Sequence, residues 1–188
     1  VVAEINPVLV VVDVQNGFVT EHSKHVVPVI AELAREWLDA GRDVVFTRYL
    51  NYDGSPFEKV MGWSKLKESP EIDIVDELQE LSKHALAIVD KLIYTMFNDE
   101  GTELARERKW TDMFVCGIDT EVCVLKTAVD AFERGIRAWV LSDASASHSG
   151  AAPHDAGILV AQKMIGRGQT IHAADASLHI AQPGNAKR

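Results

Sequence analysis

The chain has 188 residues, 47% of them hydrophobic and 25% charged, with a formal net charge of −9. Those proportions are those of an ordinary globular protein, and the length fits a single domain, residues 1–188, able to bury a good core. The acidic balance excludes a broad electrostatic surface for nucleic acid or anionic membrane, and no apolar run is long enough to span a bilayer.

In chain order, Val8–Val12 is an unbroken apolar run, as expected of a strand covered on both faces, and Asp13 stands at its carboxyl end. A carboxylate there is costly unless it is hydrogen-bonded or paired. Its plain structural role is to cap the turn at Asn16-Gly17. Val29–Ala40 carries Ile30, Leu33, Ala34, Trp37 and Leu38 at helical spacing and stops at Gly41. Val44–Thr47 reads as a second strand. Asn51 to Pro70 is irregular, with Gly54, Pro56, Gly62 and Pro70 set among Tyr52, Phe57 and Trp63. Its aromatic residues predict a packed loop, either a lid or part of a subunit contact.

Leu86–Val89 is a third strand, followed by Asp90 and Lys91. Met113–Cys116 is a fourth, Gly117 opens a tight turn, and a helix is predicted over Thr120–Arg134, ending at Gly135. Ala138–Leu141 as a strand, His154–Ile165 as a helix stopped by Gly166, and Thr170–Ala173 as a strand complete the pattern. The tail after Gln182 is expected to be loose. Strands alternating with helices predict an α/β fold, a three-layer α/β/α arrangement on a six-stranded parallel sheet, with 3-2-1-4-5-6 as the natural Rossmann-like order.

The two cysteines make no disulfide framework, and no signal peptide or internal repeat is visible, so a reducing, cytoplasmic setting is expected. Cys116 falls inside a strand and reads as inert packing. Cys123 falls in the first predicted turn of a helix, where unpaired N–H groups and the helix dipole favour a thiolate and bind an oxyanion. The plain alternative for Cys123 is that of most free cysteines, a small buried hydrophobe. For Lys91 it is a side chain that snorkels to solvent. Against both stands a coherence: an acid, an ammonium and a thiol all leave the carboxyl ends of strands, where open α/β sheets bind ligands.

These segments carry a resemblance. Asp13-Val14-Gln15-Asn16-Gly17-Phe18, Lys91 with Tyr94 and Phe97, and Gly117 through Val124 resemble the isochorismatase-like cysteine hydrolases, the superfamily of nicotinamidases and N-carbamoylsarcosine amidases. Thr127 to Gly135 and Ser142-Asp143-Ala144-Ser145-Ala146-Ser147 continue the likeness, which spans Val8 to about Ala174. The resemblance implies a catalytic triad of Asp13, Lys91 and Cys123. It implies an oxyanion hole from the backbone N–H groups of Asp119 and Cys123, with a cis peptide between Ile118 and Asp119. It also implies the same strand order and a homo-oligomer, a dimer or tetramer. Nicotinamidases of this superfamily carry an Asp-x-His metal site after the second strand, but here Thr47 to Gly54 contains no histidine. No metal and no cofactor are therefore expected. His148 and His154 read as loop and helix-start residues.

The chemistry that follows is hydrolysis of a small amide, ureido or carbamoyl C–N bond through a covalent acyl-enzyme. Asp13 serves as base and then acid, and Lys91 holds the other two electrostatically. Substrate-binding candidates are Phe18, Arg48, Tyr49, Trp63, Tyr94 and Phe97, each aromatic among them having core packing as its plain alternative. Arg48 has the chemistry to grip a carboxylate or to serve as a surface ion-pair partner. The Asp119 carboxylate has two directions open, substrate or solvent. The alternative function is a non-catalytic scaffold or interaction protein on the same fold. A nucleotide binder fares worse, because the turn after the first strand lacks a Gly-x-Gly-x-x-Gly pattern.

Overall fold

The computed structural model describes residues 5–180. Along these run β1 (Pro7–Val12), α1 (Val27–Asp39), β2 (Asp43–Tyr49), α2 (Pro56–Met61), α3 (Asp76–His84), β3 (Ala87–Lys91) and α4 (Asp99–Arg108). Then follow β4 (Asp112–Ile118), α5 (Leu125–Glu133), β5 (Arg137–Ala146), α6 (Ala151–Met164), β6 (Thr170–Ile171) and α7 (Ala173–Ile180). The tail after Gln182 lies outside the described residues.

All six strands form one parallel sheet in the order β3-β2-β1-β4-β5-β6, as the alternation predicts. Strand pleating divides the central strands between two cores. Leu9, Val11, Phe46, Phe114 and Cys116 face α1, α3 and α7, where Ile30, Trp37, Leu78 and Ala176 complete the packing. Val8, Val10, Val12, Met113 and Val115 face α4, α5 and α6 through Ala105, Ala128 and Ala161. Burying one such Val, Leu, Ile or Phe side chain contributes about 1.5–3 kcal/mol. β1 and β4 have every residue buried because they are central and covered on both sides.

The sequence reading misses four helices, α2, α3, α4 and α7. In α4 only Gly101 and Ala105 are buried, so it writes no apolar stripe, while the stripe of α3, Leu78 and Leu81 at helical spacing, is short. Local capping supports two of these elements: Asn98 accepts a hydrogen bond from the Gly101 N–H at 2.9 Å, and Ser55 accepts one from the Glu58 N–H at 3.1 Å. The predicted helix from Thr120 is also redrawn. Thr120–Val124 is a wide π-helical turn, and the α-helix begins only at Leu125. β5 runs on through the Ser142–Ala146 motif, with a register irregularity against β4 between Val115 and Gly117.

Gly117 is where the fold requires glycine. Its φ is +120°, and a Cβ would lie 2.1 Å from the Val12 carbonyl oxygen. This close approach lets β4 end flush against β1, bringing the residues after Val12 and those after Ile118 to one rim.

Candidate active site

The floor of the site is built from three strand ends. Asp13 follows β1 with a left-handed φ of 51°, and its side chain is wholly buried. It does not cap the Asn16-Gly17 turn. One carboxylate oxygen accepts the Thr47 hydroxyl at 2.6 Å, and the other accepts the Lys91 ammonium at 2.6 Å. Lys91 closes β3 and reaches across β2 to make that contact, so it does not snorkel outward. Its Nζ also donates to the Ile93 carbonyl at 3.1 Å and lies 5.5 Å from the Tyr49 ring centroid. The buried Cys123 thiol lies within the electrostatic reach of both Asp13 and Lys91.

Burial and charge act together on Lys91 and Cys123. Burial works against the Lys91 ammonium, but Asp13 first and then Cys123 outweigh it and hold its pKa above the ordinary value. For Cys123, burial dominates and pushes the thiol up, with Lys91 opposing and Asp13 adding to the rise. Burial thus works against the thiolate that a helix N-terminus favours. Cys116 sits in the opposite core, its thiol 3.7 Å from the Val10 carbonyl and likewise pushed up by burial.

Above Cys123 opens a cavity of about 280 Å³. Four of the sequence candidates line it, Phe18, Tyr49, Trp63 and Tyr94. Phe18 and Trp63 are stacked at 5.9 Å with an interplanar angle of 11°. Phe57 and Met61 from α2 join them, so the irregular 51–70 segment does pack over the site. Its hub is Asn51, whose Oδ1 accepts from Ser55 at 2.7 Å while its amide donates to the Trp63 and Lys65 carbonyls. Gln15 fixes the opposite wall, accepting the Tyr49 N–H at 2.8 Å and donating to the Tyr49 and Ile72 carbonyls.

Two candidates stand elsewhere. Arg48 is bidentate to Asp90 at 2.7 and 2.8 Å, pointing away from the cavity because strand alternation sets it opposite its neighbours Thr47 and Tyr49. Phe97 is buried in the core beneath α5, with the Arg134 guanidinium 4.4 Å over its ring. Conversely, His148 lines the cavity, a role the sequence reading did not give it. Asp119 also lines the cavity, with its carboxylate joined to His148. It accepts the His148 N–H at 2.7 Å and lies 2.6 Å from the His148 Nδ1. A histidine on a loop carries no periodicity, and the residue that selects it is 29 positions earlier, so no local signal marks the pair.

The Ile118–Asp119 peptide bond is cis. Thr120 to Val124 wraps back on this corner, with the Val122 and Val124 N–H groups donating to the Asp119 carbonyl. Among the described residues no three His, Cys, Asp or Glu side chains converge. After β2, Asn51 is committed to its loop hub and Asp53 to Lys67, so this segment does not fit a metal site. Nor, among the described residues, is any helix long and apolar enough to cross a membrane.

Comparison with known proteins agrees with this architecture. The crystal structure of the nicotinamidase PncA from Bacillus subtilis superposes with a TM-score of 0.78 at 23% identity, covering 89% of this chain and 100% of that one. N-carbamoylsarcosine amidase from Thermoplasma acidophilum gives 0.76 at 23%, covering 90% and 97%. At the level of sequence, an uncharacterized isochorismatase family protein, PncA, of Bacillus subtilis is 28% identical over 82% of this chain and 96% of its own. The isochorismatase domain model matches residues 7–173, nearly the whole described fold including all three strand ends of the site, and the chain belongs to the isochorismatase family of hydrolases.

Proposed function

We propose that the protein is a cysteine-dependent, metal-independent amidohydrolase acting on a small amide, ureido or carbamoyl C–N bond. The observation that carries this reading is the buried Asp13 carboxylate, held by Lys91, with both charges acting on Cys123, the one cysteine among the described residues that lines the cavity. Asp13 accepts the thiol proton as the Cys123 sulfur attacks the carbonyl carbon. The resulting oxyanion is received by the backbone N–H groups of Asp119 and Cys123. Collapse breaks the C–N bond, and Asp13 returns the proton to the leaving amine or ammonia. Water then attacks the thioester, giving its proton to Asp13, and the acid departs as Cys123 regains its hydrogen. With burial opposing a free thiolate, proton transfer and attack proceed together, and the fixed Lys91 charge stabilises the negative charge that passes from Asp13 to sulfur. The same reading takes the enzyme as a cytoplasmic homo-oligomer, its two free thiols suiting a reducing compartment.

The test is ammonia release across a panel of small amides and ureido compounds, with the Cys123→Ala protein as control. Cysteine-dependent release establishes the reaction class. Release that survives Cys123→Ala, or that vanishes with chelator and returns with zinc, contradicts it.

A further inference from the structure

The turn that carries Cys123 is held from outside, by groups that take no part in the chemistry above. Thr120–Val124 is a π-helical turn, and the Val124 N–H reaches back to the Asp119 carbonyl at 3.1 Å. Such turns are rare. They hold one residue more than an α-helical turn, and relaxation to α geometry rotates the residues beyond by about 100° around the axis. Cys123 stands inside this stretch, so the direction of its thiol depends on the turn staying wide.

Contacts from the segments after β5 oppose that relaxation. The Ser147 hydroxyl donates to Glu121 Oε1 at 2.7 Å, and Ser147 is itself buried. Thr120, also buried, has its hydroxyl 2.8 Å from His154 Nδ1. Gly157 of α6 presses on the Glu121 backbone: a Cβ there would lie 2.7 Å from Glu121 Cα and 2.8 Å from its nitrogen. Gly157 sits inside a helix, where glycine is a poor choice, and the closeness of Glu121 is what requires it. Glu121 carries a cost of its own. Its Oε2 is buried and, among the described residues, has no hydrogen-bond partner. A buried carboxylate oxygen without a donor opposes folding, so stability alone does not account for a glutamate here.

We propose that Glu121 is a positioning residue for catalysis: tied to Ser147 by its side chain and to Gly157 by its backbone, it keeps the turn wide and the Cys123 sulfur within reach of Asp13. This rests on the amidohydrolase reading, in which Cys123 attacks and Asp13 takes its proton. Misplacing a reacting group by about 1 Å costs on the order of 100-fold in rate, so a brace outside the cavity acts directly on turnover. Substrate binding is left to the ring-lined wall, which the brace does not touch.

The test compares Ser147→Ala, Glu121→Ala, Gly157→Ala and Glu121→Gln with the wild-type protein. Kinetics are measured on an amide from the panel above, and iodoacetamide alkylation is followed at each cysteine by peptide mass mapping. Cys116 is buried in the opposite core and reports whether the fold stays closed. Ser147→Ala and Glu121→Ala should lower kcat by about 100-fold with KM nearly unchanged. In both, Cys123 freed from the wall should alkylate about tenfold faster near pH 7.5 while Cys116 stays protected. Gly157→Ala should do the same although alanine is the better helix former, so a weakened α6 is not the cause. Glu121→Gln keeps an acceptor for the Ser147 hydroxyl and should restore most of kcat. Wild-type kcat and wild-type Cys123 labelling in Ser147→Ala and Gly157→Ala overturn the proposal. So does a loss of kcat that appears only together with Cys116 labelling, or a Glu121→Gln protein as impaired as Glu121→Ala. Ser147→Ala removes a single oxygen and introduces no clash, so misfolding of the other variants does not shield the idea. A wild-type protein that turns over no amide sinks the amidohydrolase reading alone, because the alkylation contrast still decides whether Glu121 holds Cys123. Cysteine-dependent turnover with every variant at the wild-type level sinks the Glu121 assignment alone.

Discussion

Two ion pairs leave adjacent positions of β3 and have opposite characters. Asp90 pairs with Arg48 on the neighbouring strand, the two side chains 41% and 30% exposed. Lys91 pairs with Asp13 two strands away, and both side chains are fully buried. The distances are nearly the same, 2.7 Å for the first and 2.6 Å for the second. Contact length therefore does not separate them; burial does. An exposed pair contributes about 0–1 kcal/mol because water screens the charges and the side chains lose freedom. A buried pair is worth little as net stability, yet removing one partner strands a charge at a cost of about 3–5 kcal/mol. Strand alternation alone sends the two neighbours to opposite faces, one to solvent and one to the rim where Cys123 waits.

Lys91→Met should have the largest effect. It strands the Asp13 carboxylate, and denaturant unfolding should show a loss of about 3–5 kcal/mol. Turnover should drop by more than about 1,000-fold, in the range seen when one member of a catalytic unit is removed. A stability change under 1 kcal/mol would put the buried pair on the same footing as the surface one. Asp13→Asn should come next. The amide keeps the shape and removes the base, so kcat should fall by about 100- to 10,000-fold while the protein still folds. Near-normal turnover in that variant would transfer the proton-accepting role elsewhere.

Acid–base behaviour gives a smaller, directional effect. A neutral buried thiol should react with iodoacetamide at least about tenfold more slowly at pH 7.5 than a free cysteine of pKa about 8.5. Its rate should keep climbing above pH 9. Rapid labelling at neutral pH would mean that Cys123 rests as a thiolate. The sign for stability follows from the same direction. Both thiols are raised in the folded state, so the unfolded chain ionises first as pH rises. Their contribution is intact below about pH 8.5 and is lost as pH climbs from there toward the folded-state values. Arg48→Met should have the smallest effect, within about 1 kcal/mol in stability and about threefold in turnover. A large loss of turnover there would return Arg48 to the substrate.

Most of the framework was legible from local pattern. Val8–Val12 and Met113–Cys116 announce buried strands because a strand covered on both faces has no polar positions to alternate with. Gly41 and Gly135 mark helix ends through their backbone freedom. The charged helices Asp76–His84 and Asp99–Arg108 escaped notice because the apolar stripe of the first is short and the second buries only Gly101 and Ala105. The aromatic cluster of the 51–70 segment was visible as composition, but not the turn of helix that carries Phe57 and Met61 to the cavity.

The residues of the site divide along the same line. Asp13 and Lys91 stood out in the sequence as candidates because each stands where an apolar run ends, and Cys123 because it follows the turn after another such run; strand order brings these ends to one rim. Folding decided what local pattern has no means of expressing. It placed Arg48 against Asp90 and Phe97 in the core, set burial against ionisation of Cys123, and joined His148 to Asp119. Periodicity reports which face of its own element a residue occupies. What charge or ring it meets there depends on elements far away in the chain, and that belongs to the tertiary structure.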